Sequence, residues 1–485
     1  MREYKRYDEY KDSGVEWIGK IPKDWKSFKA RRLGFFSTSG VNKKINEDEK
    51  KVNLINYTDV YGNKSKEIKY KDDYMLVSAN KNQLVKNKLK VGDVLFTPSS
   101  ETADDIGHSA IIKEKLPNTL YSYHLVRMEF EKKVDLNYKK YLFNNYYVLR
   151  YFEMKASGTT RMTLGLDDFK NVVVFLPPKS EQQKIASFLD QKTAKIDEII
   201  NKKETLIDHL EKYKKSVITE AVTKGKLRNK YIDEDGELVD QIEIKDSGIK
   251  IIGKISNFFD ISKIKLKMKN ITDGAHVSPD TENGVYDFIS VTDLDKNKID
   301  FENCLKTSKK SYRNLVRNGC KPVKNDVLLS KDGTIGETVI IEENHDFVIA
   351  SSLIILRPKK EINSKFLNYF LKSNSYQNQL NMYSKGAALK RVSITNVSRT
   401  YIVFMDLEIQ ELIVKFLDEI TTQIDILIQK TKESIEKYKE YKKSLIFEAV
   451  TGKIDLRDCE LEGGEEFVEH NNSRETKRER LSAVD

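Results

Sequence analysis

Apolar residues recur at helical spacing over two long stretches of the chain, residues 181–226 and 409–453. In both stretches they follow one another by alternating steps of three and four residues, which is the spacing of a coiled-coil seam. The predicted seam positions are Ile185, Leu189, Ile196, Ile199, Leu206, Leu210, Tyr213 and Val217 in the first stretch, and Ile413, Leu417, Ile420, Ile424, Leu427, Tyr438, Tyr441 and Leu445 in the second. Lys192 and Lys203 interrupt the first seam, and Thr431 and Ser434 are weak points of the second.

The two stretches are copies of one another. The triplet Phe-Leu-Asp at positions 188–190 returns at 416–418. The tetrapeptide Glu-Ala-Val-Thr at positions 220–223 returns at 448–451, at the same distance along the chain. We call two residues at this constant distance matching positions of the two copies. An ungapped match of this length indicates an internal duplication.

The duplication predicts how the two helices pack. An α-helix rises about 1.5 Å per residue, so each helix is too long to bury its seam on one neighbouring domain. The two seams therefore bury most simply against each other. Because the chain order is domain, helix, domain, helix, the second helix has to run antiparallel to the first. We expect an α+β protein with two mixed α/β domains in a pseudo-twofold arrangement, separated by an antiparallel coiled coil of two long helices. The alternative, in which each helix packs on its own domain, stays open.

Each helix follows a region of mixed pattern. Residues 91–100 and 171–178 of the first region read as β-strands that end in turn residues or prolines, and residues 140–158 have apolar residues at helical spacing. The second region repeats these landmarks and differs elsewhere. The predicted boundaries are 1–178 for the first mixed domain, 179–226 for the first helix, 227–241 for a linker, 242–405 for the second mixed domain, 406–455 for the second helix and 456–485 for a disordered tail.

Composition narrows the class of partner. The chain of 485 residues carries a formal net charge of +10, and 33% of its residues are charged. A basic balance favours a polyanionic partner, with nucleic acid first and an anionic membrane surface second. The three cysteines form no CxxC spacing, and no apolar run approaches the length of a membrane span. The N-terminus lacks the apolar core of a signal peptide, so we expect a cytoplasmic protein without a membrane partner.

Motifs for catalysis are not found. Residues 14–20 and 248–254 fit GxxxxGK, but an isoleucine follows each lysine where a P-loop needs Ser or Thr for magnesium. The histidines are scattered without metal-ligand spacing, and no GxSxG or adenine-methyltransferase tetrapeptide occurs. We therefore predict no catalytic, cofactor-binding or metal-binding residues in this chain.

Loops rich in Gly, Ser and Thr carry the candidates for nucleic-acid contact. Basic and amide side chains in such loops are able to reach phosphates or base edges. The candidates are Asn42, Lys43, Lys44, Ser99, Ser100, Thr102, Thr160 and Arg161 in the first region, and His276, Lys331, Lys390 and Arg391 in the second. Any single lysine or arginine among them also reads as an ordinary solvated surface charge.

Taken together, these features resemble the specificity (S) subunit of Type I restriction-modification enzymes. The segments that carry the resemblance are DSGVEWIGKIPKDWK (12–26), VGDVLF (91–96), GTTRMTLGLDDFKNVVVFLPPKSEQQKIASFLD (158–190), KSVITEAVTKGK (215–226) and KSLIFEAVTGK (443–453). The resemblance covers most of both copies. The second copy departs from the pattern where Ile251 replaces Trp17 and Phe259 replaces Trp25.

The resemblance implies a non-catalytic DNA-recognition subunit. Each mixed region would be a target recognition domain for one half of a bipartite, asymmetric site in double-stranded DNA, and the helices would be spacers. The implied partners are two methylation (M) subunits and restriction (R) subunits, which together would use S-adenosylmethionine, ATP and Mg2+. Two alternatives stay open: a stand-alone nuclease or methyltransferase with duplicated recognition halves, and a coiled-coil scaffold without a DNA role.

Overall fold

The structure is a computed structural model that describes residues 4–295, 298–384 and 391–459. The chain divides into two compact units. Unit 1 comprises Met1–Asn201 and Ile435–Asp485, and unit 2 comprises Lys202–Ser434. Each unit holds one mixed domain together with part of each of the two long helices, which we call long helix 1 (Lys179–Lys224) and long helix 2 (Leu407–Val450).

Unit 1 is built on a five-stranded sheet and a three-stranded sheet. The order of the first is Gly34–Thr38, Val126–Phe130, Val94–Phe96, Ser109–Ile112, Glu67–Ile68. Its neighbours run antiparallel, except that the last strand is parallel to Ser109–Ile112. The order of the second is Thr119–Tyr121, Lys50–Ile55, Met75–Ala79. Two-stranded pairs are Tyr10–Asp12 with Lys20–Pro22, Lys26–Lys29 with Val173–Leu176, and Ser99–Ser100 with Met162–Thr163.

Unit 2 repeats most of this topology, but its first sheet has four strands among the described residues instead of five. Its first sheet has the order Met268–Asp273, Leu353–Pro358, Val327–Ser330, Thr338–Ile340, and its second has the order Leu305–Thr307, Tyr286–Ile289, Phe347–Ile349. In both units the middle strand of the second sheet has one parallel and one antiparallel neighbour. The pairs are Ile244–Asp246 with Lys254–Ser256, Asp260–Lys263 with Tyr401–Phe404, and Leu294–Asp295 with Lys298–Ile299.

Short helices cover these sheets. In unit 1 they are Ala30–Arg32 and Ala103–Asp105, both 3-10 helices, and the α-helices Tyr57–Tyr61, Lys81–Lys86, Leu136–Phe143, Tyr146–Lys155 and Leu166–Asn171. In unit 2 they are the 3-10 helix Val291–Asp293 and the α-helices Ile264–Lys267, Lys309–Arg317, Ser364–Lys372, Asn374–Tyr383 and Ile394–Arg399. None of the helices in the described parts of the chain is long and apolar enough to cross a membrane.

The long helices run antiparallel where they meet inside each unit. In unit 1 the Lys442 ammonium lies 2.6 Å from the Asp197 carboxylate. In unit 2 the Lys214 ammonium lies 2.5 Å from the Asp425 carboxylate. The two ion pairs are the same pair repeated, because both the aspartates and the lysines stand at matching positions of the two copies. The predicted α+β class with two mixed domains and two long paired helices is confirmed.

The position of the seam differs from the prediction in the middle of each helix. Leu206 and Tyr213 are 43% and 55% exposed, and Leu427 is 46% exposed. Their places are taken by neighbours one residue further on, Ile207, Lys214 and Ile428, which are half-buried or buried. The other predicted seam residues are buried or half-buried: Ile185, Leu189, Ile196, Ile199, Leu210, Val217, Ile413, Leu417, Ile420, Ile424, Tyr438, Tyr441 and Leu445.

Polar residues also contribute to the buried face of the long helices. Thr193, Thr421 and Thr431 lie in the seam and are at least nine-tenths buried. The Oγ1 atom of each donates to the carbonyl oxygen four residues earlier, at 2.6–2.7 Å. A hydroxyl group bonded in this way adds no unsatisfied polar atom to the seam. Thr421 therefore holds a buried position directly after the predicted seam residue Ile420, which is half-buried.

A buried glutamine joins each long helix to the mixed domain of its unit. The Gln182 side chain accepts from the Asp135 amide and donates to the Pro177 carbonyl, each at 2.8 Å. The Gln410 side chain accepts from the Asn363 amide at 2.9 Å and donates to the Met405 carbonyl at 2.7 Å. All the partners stand at matching positions, so the duplicated sequence makes a duplicated joint.

Beside this joint, unit 1 has a buried carboxyl group. Glu181 accepts hydrogen bonds from the hydroxyl of Tyr7 and, at 3.1 Å, from the indole of Trp25. Burial raises the pKa of Glu181, and the bonds from Tyr7 and Trp25 only partly oppose this effect. Ile409 stands at the matching position of unit 2.

Two segments predicted to be irregular are ordered. Part of the predicted linker 227–241 belongs to a three-stranded sheet, Lys226–Leu227, Lys230–Ile232 and Leu238–Val239. The first residues of the predicted disordered tail pack on unit 1, where Leu456 is buried and Arg457 pairs with Asp455 at 2.7 Å. The apolar side chain of Leu456 accounts for this packing. Residues 460–485 lie outside the described residues.

The seam predicts unequal effects for neighbouring substitutions. We expect Ile428→Ala to lower the free energy of unfolding by about 2–4 kcal/mol, because it removes buried methyl and methylene groups. The exposed neighbour provides the control, since Leu427→Ala should change that free energy by less than about 0.5 kcal/mol. Urea unfolding followed by circular dichroism measures both. Equal effects of the two substitutions would contradict the assignment of Ile428, and not Leu427, to the seam.

The buried carboxyl group predicts a pH dependence. Since the pKa of Glu181 is higher in the folded than in the unfolded chain, the folded state binds more protons above about pH 4.5. Its stability should therefore fall as the pH rises through the raised pKa. Glu181→Gln keeps an acceptor for both bonds and lacks the titration, so its advantage in thermal midpoint over the native protein should grow from about pH 5 to about pH 8.

An exposed glutamate supplies the control for this measurement. Glu211→Gln removes the same charge at an exposed position of long helix 1. Its thermal midpoint relative to the native protein should stay constant over the same pH range. A constant advantage of Glu181→Gln, or one equal to that of the control, would refute the explanation.

Candidate nucleic-acid interface

One loop of unit 1 is shaped by a glycine that positions a candidate arginine. Gly158 has a φ of 143°, and a Cβ atom there would lie 2.1 Å from the carbonyl oxygen of Arg161. Only glycine fits this turn without displacing the backbone. After the turn, Met162–Thr163 pairs antiparallel with Ser99–Ser100. The candidates Thr160 and Arg161 are thereby brought next to the candidates Ser99 and Ser100.

Aromatic side chains lie beside Arg161. The Tyr57 hydroxyl donates to the Ser99 carbonyl at 2.7 Å, and the Arg161 guanidinium lies 5.8 Å from the Tyr57 ring. The Tyr57 ring stacks on Tyr61 at 5.4 Å between centroids. Arginine beside accessible aromatic rings is a common arrangement for binding nucleobases and phosphates.

The turn that carries Lys43 reaches the same surface. The Tyr123 amide donates to the Val41 carbonyl at 3.0 Å, and the Tyr123 and His124 rings are 3.8 Å apart. Burial lowers the pKa of His124, and the positive charges of Lys43 and Arg161 lower it further. Both cations therefore act electrostatically on this imidazole. We call Lys43, Tyr57, Tyr123, His124 and Arg161 the unit 1 loop surface.

One carboxylate, that of Asp105, reduces the positive charge at one side of this surface. Asp105 accepts from the Tyr61 hydroxyl and lies 2.7 Å from Nε2 of His108. Burial alone would raise the pKa of Asp105, but the bonds from Tyr61 and His108 outweigh it and hold the pKa below its usual range. Asp105 is thus an ionised acceptor among aromatic groups.

The remaining unit 1 candidates differ in exposure. Asn42, Lys43, Lys44 and Thr102 are exposed, whereas Ser100 is buried. The Asn42 side chain accepts from the Lys44 amide at 3.2 Å. The Ser78 amide donates to the Lys44 carbonyl at 3.1 Å, which ties this turn to the strand Met75–Ala79. Because the Ser100 side chain is buried, its hydroxyl is poorly placed for a contact with DNA, and Ser100 serves as part of the loop backbone.

In unit 2 the candidates are engaged in ion pairs. Lys331 is buried and pairs with Asp273, whose carboxylate also lies 3.0 Å from Nε2 of His276. The exposed guanidinium of Arg391 makes a two-pronged contact with Asp332 at 2.6 and 3.0 Å. The structure therefore brings His276, Lys331 and Arg391 together, because Asp332 follows Lys331 directly and forms a β-bridge with Arg391. Lys390 lies outside the described residues.

The burial of Lys331 bears on its predicted role. A lysine that is 7% exposed and paired with a carboxylate is poorly placed to reach a phosphate. The prediction rested on a lysine in a Gly-containing loop, and it could not anticipate Asp273 from a distant strand. Arg391 and His276 remain the accessible candidates among the described residues of this cluster.

The search for basic and amide residues missed the aromatic members of the unit 1 loop surface. Its members Tyr57, Tyr123 and His124 occur in two short segments, NYTDVY (56–61) and YSYH (121–124), at the ends of strands. Aromatic and histidine residues clustered at strand ends are a signal that could have identified them. Among the described residues, no group of three or more His, Cys, Asp and Glu side chains could hold a metal ion.

Two curated relatives come from Escherichia coli. The Type I restriction enzyme EcoBI specificity subunit is 24% identical over 301 residues, which is 62% of this chain and 62% of the relative. The Type I restriction enzyme EcoKI specificity subunit, from strain K12, is 24% identical over 234 residues, 46% of this chain and 49% of the relative. The matches thus span less than two-thirds of each relative's length.

A solved structure, described as the structural basis underlying complex assembly and conformational transition of the type I R-M system, has a similar fold. Its chain superposes with a TM-score of 0.65 at 14% identity and covers 90% of this chain and 99% of that chain. The sequence profile of the family described as Type I restriction modification DNA specificity domain matches residues 22–209 and 253–437. With both copies of the repeat matched, this chain belongs to the family of Type I restriction-modification DNA specificity domains.

Proposed function

We propose that this chain is the DNA sequence-recognition subunit of a Type I restriction-modification complex. The observation that carries the proposal is that two units share one topology while their loop surfaces carry different side chains. A repeated scaffold with different loops suits the recognition of two different half-sites. The bipartite target in double-stranded DNA is accordingly asymmetric.

The chemistry of the unit 1 loop surface supports a DNA contact. Lys43 and Arg161 supply positive charge for phosphates, and such contacts dominate affinity without specifying sequence. Tyr123 is 48% exposed and, together with His124, presents a flat face and polar atoms beside these charges. Asp105 is an ionised acceptor and can accept from an exocyclic amino group of a base. Specificity thus comes from the mixture of groups and not from positive charge alone.

The proposed complex divides the work between subunits. This chain binds DNA and carries no catalytic group, while two methylation (M) subunits and restriction (R) subunits bring the chemistry. S-adenosylmethionine, ATP and Mg2+ are used by those partners, and the complex acts in the cytoplasm. The alternative is a stand-alone nuclease or methyltransferase, and methylation or cleavage of DNA by the purified chain alone would favour it.

Removing positive charge from the unit 1 loop surface tests the DNA contact. We expect Lys43→Ala and Arg161→Ala each to weaken DNA binding by the assembled complex at least about threefold. If the residue contacts a phosphate, the slope of log affinity against log salt should also fall by roughly one. Fluorescence anisotropy at several salt concentrations measures both quantities. Lys26→Ala, on the strand Lys26–Lys29 outside this surface, is the matched control. Equal losses for the control and the two variants would contradict the assignment.

Exchanging one mixed domain tests the proposed division of the target. Replacement of residues 21–178 by the corresponding region of another family member should change one half of the methylated sequence and leave the other half unchanged. Methylome sequencing of a host with the native gene, the hybrid gene and no gene reads both halves directly. A hybrid that changes both halves, or a native gene whose deletion removes no bipartite methylated motif, would rule out the proposal.

A further inference from the structure

One short helix of unit 2 presents only polar side chains to solvent. This helix, Lys309–Arg317, packs on the second sheet of its unit, where Tyr312 is buried and Leu315 and Val316 are half-buried against a cluster that contains Val348. Its exposed residues are Lys309, Lys310, Arg313, Asn314 and Arg317. The apolar side of the helix is thus used up in holding it on the sheet. We call the four exposed cations, Lys309, Lys310, Arg313 and Arg317, the basic face of unit 2.

The spacing of these cations is unfavourable for the helix itself. Arg313 stands four residues after Lys309 and four residues before Arg317. Residues four apart are neighbours on a helix, so both pairs bring like charges together and destabilise it. Lys309 and Lys310 also stand in the first turn, where the helix dipole favours negative charge and no acidic residue is present. The stability of the helix therefore does not explain this arrangement.

The surroundings do not neutralise the basic face. None of its four cations makes an ion pair with a carboxylate among the described residues. Most carboxylates on the segments that adjoin the helix have a cation of their own. These are Asp273, Asp287 and Asp346, which pair with Lys331, Lys306 and Lys321. Two others, Asp280 and Glu282, stand in the preceding loop, so positive charge stays in excess.

The helix adjoins the loop 274–285, which carries the candidate His276. Before the helix, the Ser308 amide donates to the Asp280 carbonyl at 2.9 Å. After the helix, the Gly319 carbonyl accepts from the hydroxyl of Thr272, on the strand that leads into the loop, at 3.4 Å. The basic face is therefore continuous with the candidate nucleic-acid interface of unit 2.

Unit 1 has a helix at the same place in its topology. Lys81–Lys86 lies beside the corresponding loop, because the side chain of Gln83 donates to the Gly40 carbonyl at 2.9 Å. This helix presents Val85, which is 79% exposed, and it is the loop that carries the exposed Lys43. The two units thus place their accessible positive charge on different elements of the repeated scaffold.

The composition of the basic face selects among polyanionic partners. Binding to an anionic membrane surface needs an apolar face that enters the lipid, and a stable protein interface needs aromatic or apolar anchors. The exposed residues of this helix supply neither. A phosphate backbone requires only cations that reach it, and the planar guanidinium groups of Arg313 and Arg317 are suited to bind phosphate through two hydrogen bonds.

We propose that the basic face of unit 2 binds the phosphate backbone of double-stranded DNA and so anchors this unit on its half-site. This inference rests on the proposed function and adds to it a contact made by a helix instead of a loop. Phosphates beside the helix relieve the repulsion among Lys309, Arg313 and Arg317. The anchor contributes affinity without reading sequence, which is left to the neighbouring loops.

DNA binding by the assembled complex tests this proposal. We expect Lys309→Gln, Arg313→Gln and Arg317→Gln each to weaken binding at least about threefold and to lower the slope of log affinity against log salt by roughly one. Fluorescence anisotropy at several salt concentrations measures both. The loss should be equal for a duplex with the methylated motif of the host and for an unrelated duplex, because phosphate contacts carry no sequence information. Arg313→Lys keeps the charge and should retain most of the affinity.

Thermal stability separates a DNA contact from a structural role. Glutamine has a helix propensity close to that of lysine and arginine, and it removes the repulsion between like charges, so none of the three substitutions should lower the thermal midpoint. Lys265→Gln, at an exposed position of the helix Ile264–Lys267, is the matched control and should change neither affinity nor slope. Losses no larger than that of the control, or a lower thermal midpoint together with each loss, would overturn the proposal.

Two further outcomes are informative. If gel filtration shows that the three substitutions prevent assembly with the methylation subunits, while assembled complexes keep their DNA affinity, the basic face binds protein and the proposal is wrong. If Lys43→Ala and Arg161→Ala weaken DNA binding but the three substitutions do not, this inference fails and the proposed function stands. A native complex that binds no duplex DNA would refute both.

Discussion

The joint between each long helix and the mixed domain of its unit determines where the loops of that domain are presented. A single side-chain amide, Gln182 or Gln410, bonds one backbone donor and at least one backbone acceptor of the adjoining domain and is almost fully buried. Burying an amide is unfavourable unless its polar atoms are paired, so the geometry of the joint has little freedom. A tyrosine reinforces it, since Tyr141 and Tyr369 donate to Asp190 and Asp418 of the long helices at 2.6 and 2.7 Å. Several oriented hydrogen bonds therefore fix the mixed domain, and the loops it carries, relative to the long helix of its unit.

The fold could be predicted from the sequence to the extent that a repeated pattern specifies repeated structure. The ungapped offset identified both long helices, and their order along the chain required antiparallel pairing. The seam was harder, because residues 426–428, Ile-Leu-Ile, offer three apolar positions and only burial distinguishes them. The hydroxyl groups of Thr421 and Thr431 bond within their own helix and so satisfy their polar atoms inside the seam. A pattern that counts only apolar residues cannot detect such a position.

The loops were less predictable for a different physical reason. Which side chain is exposed there depends on partners from distant strands. Lys331 illustrates this, since Asp273 is 58 residues away and turns a candidate contact into a buried ion pair. Arg161 had the opposite outcome, because the turn at Gly158 leaves its side chain exposed beside Tyr57. Local sequence identified the loops that carry functional groups, and long-range contacts decided which of those groups are accessible.

The residues of the joint are buried and those of the loops are exposed, and this difference affects how new loop sequences evolve. The residues that hold each unit together, such as Gln182 and Phe188, are buried, whereas Lys43 and Arg161 are exposed. Substitutions at exposed positions of this kind change stability little. Mutation can therefore explore new loop chemistry without using the narrow stability margin of the fold. A scaffold of this type can acquire a new selectivity through many neutral intermediates, and the two units can do so independently of each other.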